Sequence, residues 1–120
     1  MAKLRAAIGL FLCALMLVAG GPGFRSRRAF EEHYAKHGRE FGRISPQEYL
    51  LLAQSLRDAP LIAGAGGPIL QAVKRNGVIT RFDRRNGAFG AYNPDDTIRT
   101  FFKPVAGERY FFRQARRPGD

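Results

Sequence analysis

Closely spaced turn residues between positions 75 and 104 constrain the fold of this chain more than any other feature of its sequence. The segments between the turns are short and rich in apolar, β-branched and aromatic residues. Asn and Gly accept the positive φ that tight hairpin turns require. The turns are Asn76-Gly77, Asn86-Gly87 and Asn93-Pro94-Asp95-Asp96. The pattern predicts a meander of antiparallel strands at residues 69–75, 78–83, 88–92 and 97–103.

The chain upstream of these strands has the patterns of two helices. The first is predicted to begin at Ala29 and to end or break at Gly38 and Gly42. The second begins at Ser45-Pro46-Gln47-Glu48, a capping box with proline at the first helical position. Helices followed by strands predict an α+β fold, with N-terminal helices packed on one four- to five-stranded antiparallel sheet. Residues 109–113 fit either the fifth strand or a short helix.

The positive charge of the chain restricts its partners. Its 120 residues and 45% apolar content are ordinary for a single globular domain. Twenty Lys and Arg residues against ten Asp and Glu residues give a net charge of +10. Such a surplus favours an anionic partner, which is nucleic acid, a phospholipid surface or an acidic protein. Charge alone does not distinguish these three classes.

The N-terminal segment has the pattern of a secretory signal peptide. Lys3 and Arg5 precede an uncharged run at residues 6–21 that contains a small-residue cleavage site. The predicted divisions are a signal peptide at 1–20, a basic leader at 21–28 and one domain at 29–120. A secreted or periplasmic location follows from this interpretation. The alternative is an uncleaved membrane anchor, although the run is short of the roughly 20 residues that span a bilayer comfortably.

Removal of the signal peptide leaves a chain without a thiol, because Cys13 is the only cysteine. Neither a disulfide nor a cysteine-ligated metal is then available, so the domain has to be held together by buried apolar surface. We expect no cofactor, no stable membrane association after cleavage of the leader, and a monomer.

Two histidines four residues apart, His33 and His37, are the first candidates for chemistry. On a helix they lie on one face, one turn apart, with Lys36 beside them. A zinc site is disfavoured, because the glutamate that follows the first histidine in metallopeptidases is absent and a catalytic zinc needs three protein ligands. Two interpretations remain. The histidines are half-buried structural residues, or they perform acid/base chemistry, since imidazole both takes and gives a proton near neutral pH.

The last predicted strand carries the second group of candidates. With a period of two, Thr97, Arg99, Phe101 and Lys103 share one face, and Thr100 lies on the opposite face unless a bulge intervenes. Arg99 and Lys103 can hold a phosphate, or they form the solvated face of an amphipathic strand. Cleavage of RNA by attack of the 2′-OH on the adjacent phosphate needs a base, an acid and fixed positive charge, which the histidines and these cations supply.

Three blocks of the sequence, within residues 30–104, carry a resemblance. They are H-Y-A-K-H-G-R-E-F-G, S-P-Q-E-Y-L-L-L-A and R-F-D-R-R-N-G-A-F-G-A-Y-N-P-D-D-T-I-R-T-F-F-K-P. The chain resembles the C-terminal toxin domains of bacterial polymorphic and contact-dependent toxin systems, in the group of barnase-like, EndoU-like, colicin-type and RelE-like ribonucleases. The resemblance implies a small α+β domain with helices on a four-stranded antiparallel sheet. It also implies metal-independent ribonuclease activity that depends on His33, His37, Arg99 and Thr100.

We therefore predict an endoribonuclease toxin that cleaves RNA by 2′-OH transesterification without a metal. Its predicted catalytic residues are His33, His37, Arg99 and Thr100, and its predicted substrate-binding residues are Lys36, Thr97, Lys103 and Tyr110. The resemblance also implies an immunity protein, which we expect to be acidic because the toxin is basic. One alternative is a non-catalytic basic module that binds nucleic acid or an anionic envelope surface. A third possibility is a membrane-anchored envelope protein with an uncleaved leader.

Overall fold

The computed structural model of the chain describes residues 20–62 and 66–118. Within them, three helices cover a four-stranded antiparallel sheet, which confirms the predicted α+β fold. The helices are α1 (Arg27–His37), α2 (Pro46–Asp58) and α3 (Glu108–Arg116), and a 3₁₀ turn (Gly38–Phe41) follows α1. The strands are β1 (Ile69–Val73), β2 (Ile79–Asp83), β3 (Ala88–Tyr92) and β4 (Ile98–Phe102), adjacent in that order. None of these helices is long and apolar enough to cross a membrane. The predicted signal peptide, apart from Gly20, lies outside the described residues.

The hairpin turns form as their residues predict. Gly77 and Gly87 adopt φ angles of +85° and +79°. The asparagine before each glycine accepts a hydrogen bond from the backbone N–H two residues further on, at 3.1 Å in the first turn and 2.9 Å in the second. In the third turn Asp96 takes a φ of +71°. The four predicted strands are confirmed, and their ends differ from the prediction by at most two residues.

The two N-terminal helices begin at serine caps. The Ser45 hydroxyl accepts a hydrogen bond from the Glu48 N–H at 3.1 Å, and the Glu48 carboxylate accepts one from the Ser45 N–H at 3.3 Å, so the predicted capping box is confirmed. Helix α1 begins two residues before the predicted start, because Ser26 caps it by accepting the Ala29 N–H at 3.0 Å.

Alternation along the strands gives the sheet two covered faces. The face under α2 has a core of Tyr49, Ala53, Leu56, Ala88, Tyr92, Ile98 and Phe101. The face under α3 has a core of Val78, Phe82, Phe89, Ala91 and Phe111. Residues 109–113, which were predicted as either a fifth strand or a short helix, are part of helix α3. This helix covers the face of the sheet that the N-terminal helices leave open.

Two buried tyrosines connect α2 to the sheet. The Tyr49 hydroxyl donates to the Phe101 carbonyl, and the Tyr92 hydroxyl donates to the Ala53 carbonyl at 2.8 Å. Burial raises the pKa of both phenols far above the ordinary value, and the Glu40 charge raises that of Tyr49 further. Burial therefore favours the protonated form of both phenols, which is the form that donates these hydrogen bonds.

The segment before α1 is also part of the fold. The Ile98 N–H donates to the Gly23 carbonyl at 2.9 Å, and Phe24 forms a parallel bridge with Ile98. The Phe24 ring stacks parallel to the Tyr49 ring, with centroids 6.3 Å apart. These contacts cover the start of the outer edge of β4 and place α1 beside that strand.

Candidate functional site

Helix α1 runs along the outer edge of β4 in the same direction as the strand. At the start of the helix, Ala29 shares a cleft of about 260 Å³ with Arg99. At its end, the centroid of the His37 ring lies 5.1 Å from that of Phe102. The eight steps of helix from Ala29 to His37 rise about 12 Å, and the three steps of strand from Arg99 to Phe102 rise about 10 Å. His33, which is midway between the two contacts, therefore lies level with the middle of β4.

His37 is held by a carboxylate. Its Nδ1 lies 2.7 Å from Oε2 of Glu40, and Oε1 of Glu40 accepts a hydrogen bond from the Lys103 backbone N–H, also at 2.7 Å. Because a carboxylate only accepts, Nδ1 carries the proton and Nε2 of the neutral ring has the lone pair. The imidazole side chain is 16% exposed, and no residue of the described chain hydrogen bonds to its Nε2. This nitrogen is available to take a proton.

His33 presents the same ring nitrogen. Its Nδ1 lies 2.8 Å from the Ala29 carbonyl oxygen, which only accepts, so this nitrogen is also protonated. The ring packs on Phe24, with centroids 4.8 Å apart, and its centroid is 6.4 Å from that of His37. Both imidazoles are partly buried and lie one helical turn apart along the same strand edge.

A β-bulge decides which side chains of β4 lie on each face. Arg99 is an extra residue between the pairs that Ile98 and Thr100 make with β3. Thr100 therefore lies with Arg99 on the α3 side, whereas Phe101 is in the core under α2. For this reason, the prediction that Thr97, Arg99, Phe101 and Lys103 share one face of the sheet is wrong.

Arg99 and Thr100 line a groove of about 460 Å³ between the sheet and α3, which we call the cationic groove. Its cations are Lys74, Arg99 and Arg117, and no carboxylate is among its lining residues. Arg99 is exposed, and its Nη1 donates to the Asn93 side-chain oxygen at 3.3 Å. Guanidinium, ammonium and hydroxyl groups in a concave surface are the donors that bind phosphate oxygens.

Aromatic rings connect the cationic groove to the histidines. Tyr110 lines the groove, and its ring centroid is 5.3 Å from that of Phe102 and 4.9 Å from that of Phe89. Phe102 in turn contacts His37. His37, Phe102 and Tyr110 therefore form a row of rings across the end of β4. A ligand in the groove is separated from the His37 imidazole by the width of this edge strand.

The structure brings five of the predicted site residues to this region. His33 and His37 lie at the edge of β4, and Arg99, Thr100 and Tyr110 line the cationic groove. The edge and the groove together form the candidate site. The two imidazoles come from α1 and the groove cations from other elements, and the row of rings lies between them.

Three other predicted site residues lie elsewhere. The Thr97 hydroxyl donates to Asp95 at 2.6 Å and accepts from Asn93 at 2.8 Å, so it is occupied within its turn. The Lys103 ammonium lies 5.1 Å from the centroid of the Phe41 ring, and its side chain lines a cleft on the α2 side of the sheet. Lys36 is exposed on α1 and lines none of the grooves described here. We leave these three out of the proposed site.

Sequence reasoning missed Glu40 and two of the groove cations, Lys74 and Arg117. Glu40 had a local signal, because it follows His37 by three residues and a turn after the helix brings such a pair together. Lys74 and Arg117 had none, because they reach the groove from the first hairpin and from the chain after α3.

Neither a metal cluster nor a known family identifies the site. Within residues 20–62 and 66–118, no group of three or more His, Cys, Asp and Glu side chains is placed to hold a metal ion. The sequence matches no protein-family model and has no significant match among curated proteins. The chemistry of the site is therefore inferred from its side chains.

Proposed function

We propose that this protein is a metal-independent endoribonuclease that cleaves RNA by attack of the 2′-OH on the adjacent phosphate. The observation that carries the proposal is the imidazole of His37, which Glu40 holds at the edge of β4 and which the ring of Phe102 connects to Tyr110 of the cationic groove. RNA contains both a hydroxyl for a base to deprotonate and a phosphate for the groove to bind. DNA lacks that hydroxyl and is not a substrate for this chemistry.

The two histidines divide the proton transfers. His37 takes the 2′-OH proton on Nε2, and the Glu40 carboxylate stabilises the imidazolium that forms. The 2′-oxygen then bonds to phosphorus as the bond from phosphorus to the 5′-oxygen breaks. His33, in its protonated form, gives a proton to the leaving 5′-oxygen. The products are a 2′,3′-cyclic phosphate and a 5′-hydroxyl.

Arg99 and Thr100 stabilise the charge that develops on the phosphate. The attack adds negative charge to the non-bridging oxygens, and donors already fixed in place stabilise that charge most effectively. Arg99 can donate two parallel hydrogen bonds to such oxygens, and the Thr100 hydroxyl can donate one. Tyr110 provides a half-buried ring on which a base adjoining the cleaved bond can stack.

The sequence supports a role for this ribonuclease outside the cell that makes it. The signal-peptide pattern at residues 1–20 favours export, and the surplus of Lys and Arg over Asp and Glu that remains without this segment favours capture by an acidic immunity protein. We propose that the exported protein is a toxin, acting as a monomer, with such an inhibitor covering the Arg99 side of the sheet.

RNA cleavage by the purified protein in EDTA tests the proposed function. We compare the wild type with His37→Ala, Arg99→Ala and the control Arg27→Ala. Arg27 is an exposed cation of α1 that pairs with Glu31 and lines neither the cationic groove nor the clefts described above. We expect cyclic phosphate ends in EDTA and a loss of at least about a hundredfold in the first two variants. The control should keep its rate within about twofold, since exposed ion pairs contribute little.

The opposite result would identify a binding module. If no RNA is cleaved, and salt-sensitive RNA binding survives in His37→Ala, the histidines are structural and the proposal is wrong. Cleavage that stops in EDTA and returns with a divalent cation would also contradict it.

A further inference from the structure

The cationic groove does not end at Arg99 but continues over the outer side of α3. A second depression shares Tyr110, Gln114 and Arg117 with the groove. A third depression shares Arg113 and Arg116 with the second. The three form one path from the edge of the sheet to the exposed side of the last helix. No carboxylate lines any of the three.

The part of this path outside the groove, which we call the α3 track, consists of Arg109, Phe112, Arg113 and Arg116. Its three arginines follow one another at intervals of four and three residues, so they lie on the same side of the helix. The opposite side of α3 is buried, because Phe111 is 3% exposed against the sheet. The track is therefore a solvent-facing stripe on the side of α3 that faces away from the core.

The charge of the track is not compensated within the described chain. Five arginines elsewhere form ion pairs with carboxylates, namely Arg27, Arg28, Arg57, Arg84 and Arg85. The three track arginines form no such pair with any described residue. Like charges at this spacing on one helix repel each other, and a bound polyanion removes that repulsion.

An exposed aromatic ring lies among these cations. Phe112 is 42% exposed and lines the same depression as Arg109 and Arg113. Single-stranded nucleic acids bind to surfaces of this kind, because the backbone follows the cations and an unpaired base stacks on the ring. Arg113 also packs over the Tyr110 ring, 5.9 Å from its centroid, and so joins the track to the groove.

We propose that the α3 track is a second binding site, for single-stranded RNA that extends beyond the phosphate cleaved at β4. The proposal rests on the ribonuclease function and specifies its substrate as RNA several nucleotides long. The track adds about 10 Å of helix surface to the groove, from Arg109 to Arg116. Its continuity with the groove favours RNA over an anionic phospholipid surface, because a flat bilayer cannot follow the path down to Arg99.

Binding of an RNA that cannot be cleaved tests this site without requiring activity. The probe is a 2′-O-methyl RNA of about 20 nucleotides, followed by fluorescence anisotropy at several salt concentrations. The track variant is Arg109→Gln/Arg113→Gln/Arg116→Gln. The control, Arg27→Gln/Arg28→Gln/Arg43→Gln, loses the same charge from exposed residues that line neither the groove nor the track.

We expect the track variant to bind at least about tenfold more weakly and to lose about 2 units of salt slope, since each contact of a cation with single-stranded phosphate contributes about 0.7. The control should bind within about threefold of the wild type. The ratio of kcat/KM for the long RNA to that for a dinucleotide should fall in the track variant. Equal binding by the track variant and the wild type would overturn the proposal, and so would an equal loss in the control.

Two single substitutions distinguish RNA binding by the track from lipid binding. Phe112→Ser should weaken RNA binding by about fivefold or more, through lost stacking. Val105→Ser should not, because Val105 is fully exposed and equally apolar but lies outside the track. Binding to phosphatidylglycerol vesicles that falls in Phe112→Ser, with unchanged RNA binding, would assign this surface to a membrane and overturn the proposal. Track-dependent binding without cleavage of any RNA would refute the ribonuclease function and keep the binding site.

Discussion

Glu40 uses both oxygens of its carboxylate inside the candidate site. One oxygen accepts from His37, and the other accepts from the backbone of Lys103 at the end of β4. The same side chain therefore fixes the tautomer of the imidazole and the position of the 3₁₀ turn against the strand. A group with two acceptors is required, because both partners donate. An amide can accept at only one of its two positions.

Glu40→Gln should therefore keep the fold and change the chemistry. If the amide nitrogen faces His37, Nδ1 has to accept, and the proton moves to Nε2, where the proposed base needs its lone pair. We expect the rate of RNA cleavage to fall by at least about a hundredfold, as when a catalytic imidazole takes the wrong tautomer. Long-range ¹H–¹⁵N correlation spectra of the imidazoles report the tautomer directly, whether or not RNA is cleaved.

Glu32→Gln is the matched control for that variant. Glu32 is an exposed carboxylate on α1, the helix that carries His37, and it pairs with Arg28 at 3.0 Å. The Glu32→Gln substitution should leave both the rate of RNA cleavage and the His37 spectrum unchanged. An Nδ1-protonated His37 and a normal rate in Glu40→Gln would show that the carboxylate is not needed to position the ring.

Among the elements, those with local signals could be predicted from the sequence. The hairpins close because asparagine and glycine meet the backbone and hydrogen-bonding demands of a turn within three residues. The second helix begins where a serine and a glutamate three positions later cap each other. In both cases the interacting groups are adjacent in the chain, so their spacing is enough to identify the structure.

The features that the sequence left open depend on distant packing. The bulge at Arg99 lets both Ile98 and Phe101 enter the core under α2, a demand set by residues such as Tyr49 that are far away in sequence. Residues 109–113 fit two periodicities, and helix α3 is the one that buries Phe111 on an otherwise uncovered face. The candidate site shows the same difference between local signals and distant packing. The histidine pair was predicted from its spacing in the sequence. The separation of Arg99 from Lys103 could not be predicted, because it depends on the bulge.

The capping box of α2 should contribute measurably to stability. Ser45→Ala removes the acceptor for the Glu48 N–H, and we expect a loss of about 1 kcal/mol in the free energy of unfolding. Ser55→Ala is the matched control, since Ser55 is an exposed serine inside the same helix. This second change should be neutral or slightly stabilising, because alanine has the higher helix propensity. Urea unfolding measures both variants, and equal stabilities would contradict the role of the cap.

For the whole molecule, the surplus of positive charge makes each carboxylate important at low pH. Asp83 is 7% exposed and accepts three hydrogen bonds from Arg85, at 2.9, 3.0 and 3.0 Å. Burial alone would raise the pKa of Asp83, but the hydrogen bonds and the charge of Arg85 lower it below the ordinary value. The unfolded chain therefore binds this proton more readily than the folded one.

Stability should fall in acid for this reason. The contribution of Asp83 is fully present above the ordinary aspartate pKa of about 3.9 and is lost as the pH falls through the lower pKa of the folded state. Asp83→Asn should be less stable than the wild type at pH 7, and the difference should shrink as the pH approaches 2. Urea unfolding at a series of pH values measures it. A difference that is constant with pH would show that the charge of Asp83 does not matter.

The cover over the start of β4 has a further consequence for the integrity of the protein. β4 is the last strand of the sheet, and Gly23 and Phe24 occupy the first part of its outer edge. These residues come only a few positions after the predicted cleavage site of the leader. A protease that trimmed the chain past Phe24 would leave backbone N–H and C=O groups of β4 open to the same strand of another molecule. Over-trimming of the N-terminus would then lead to aggregation through paired edges rather than to a shorter but intact protein.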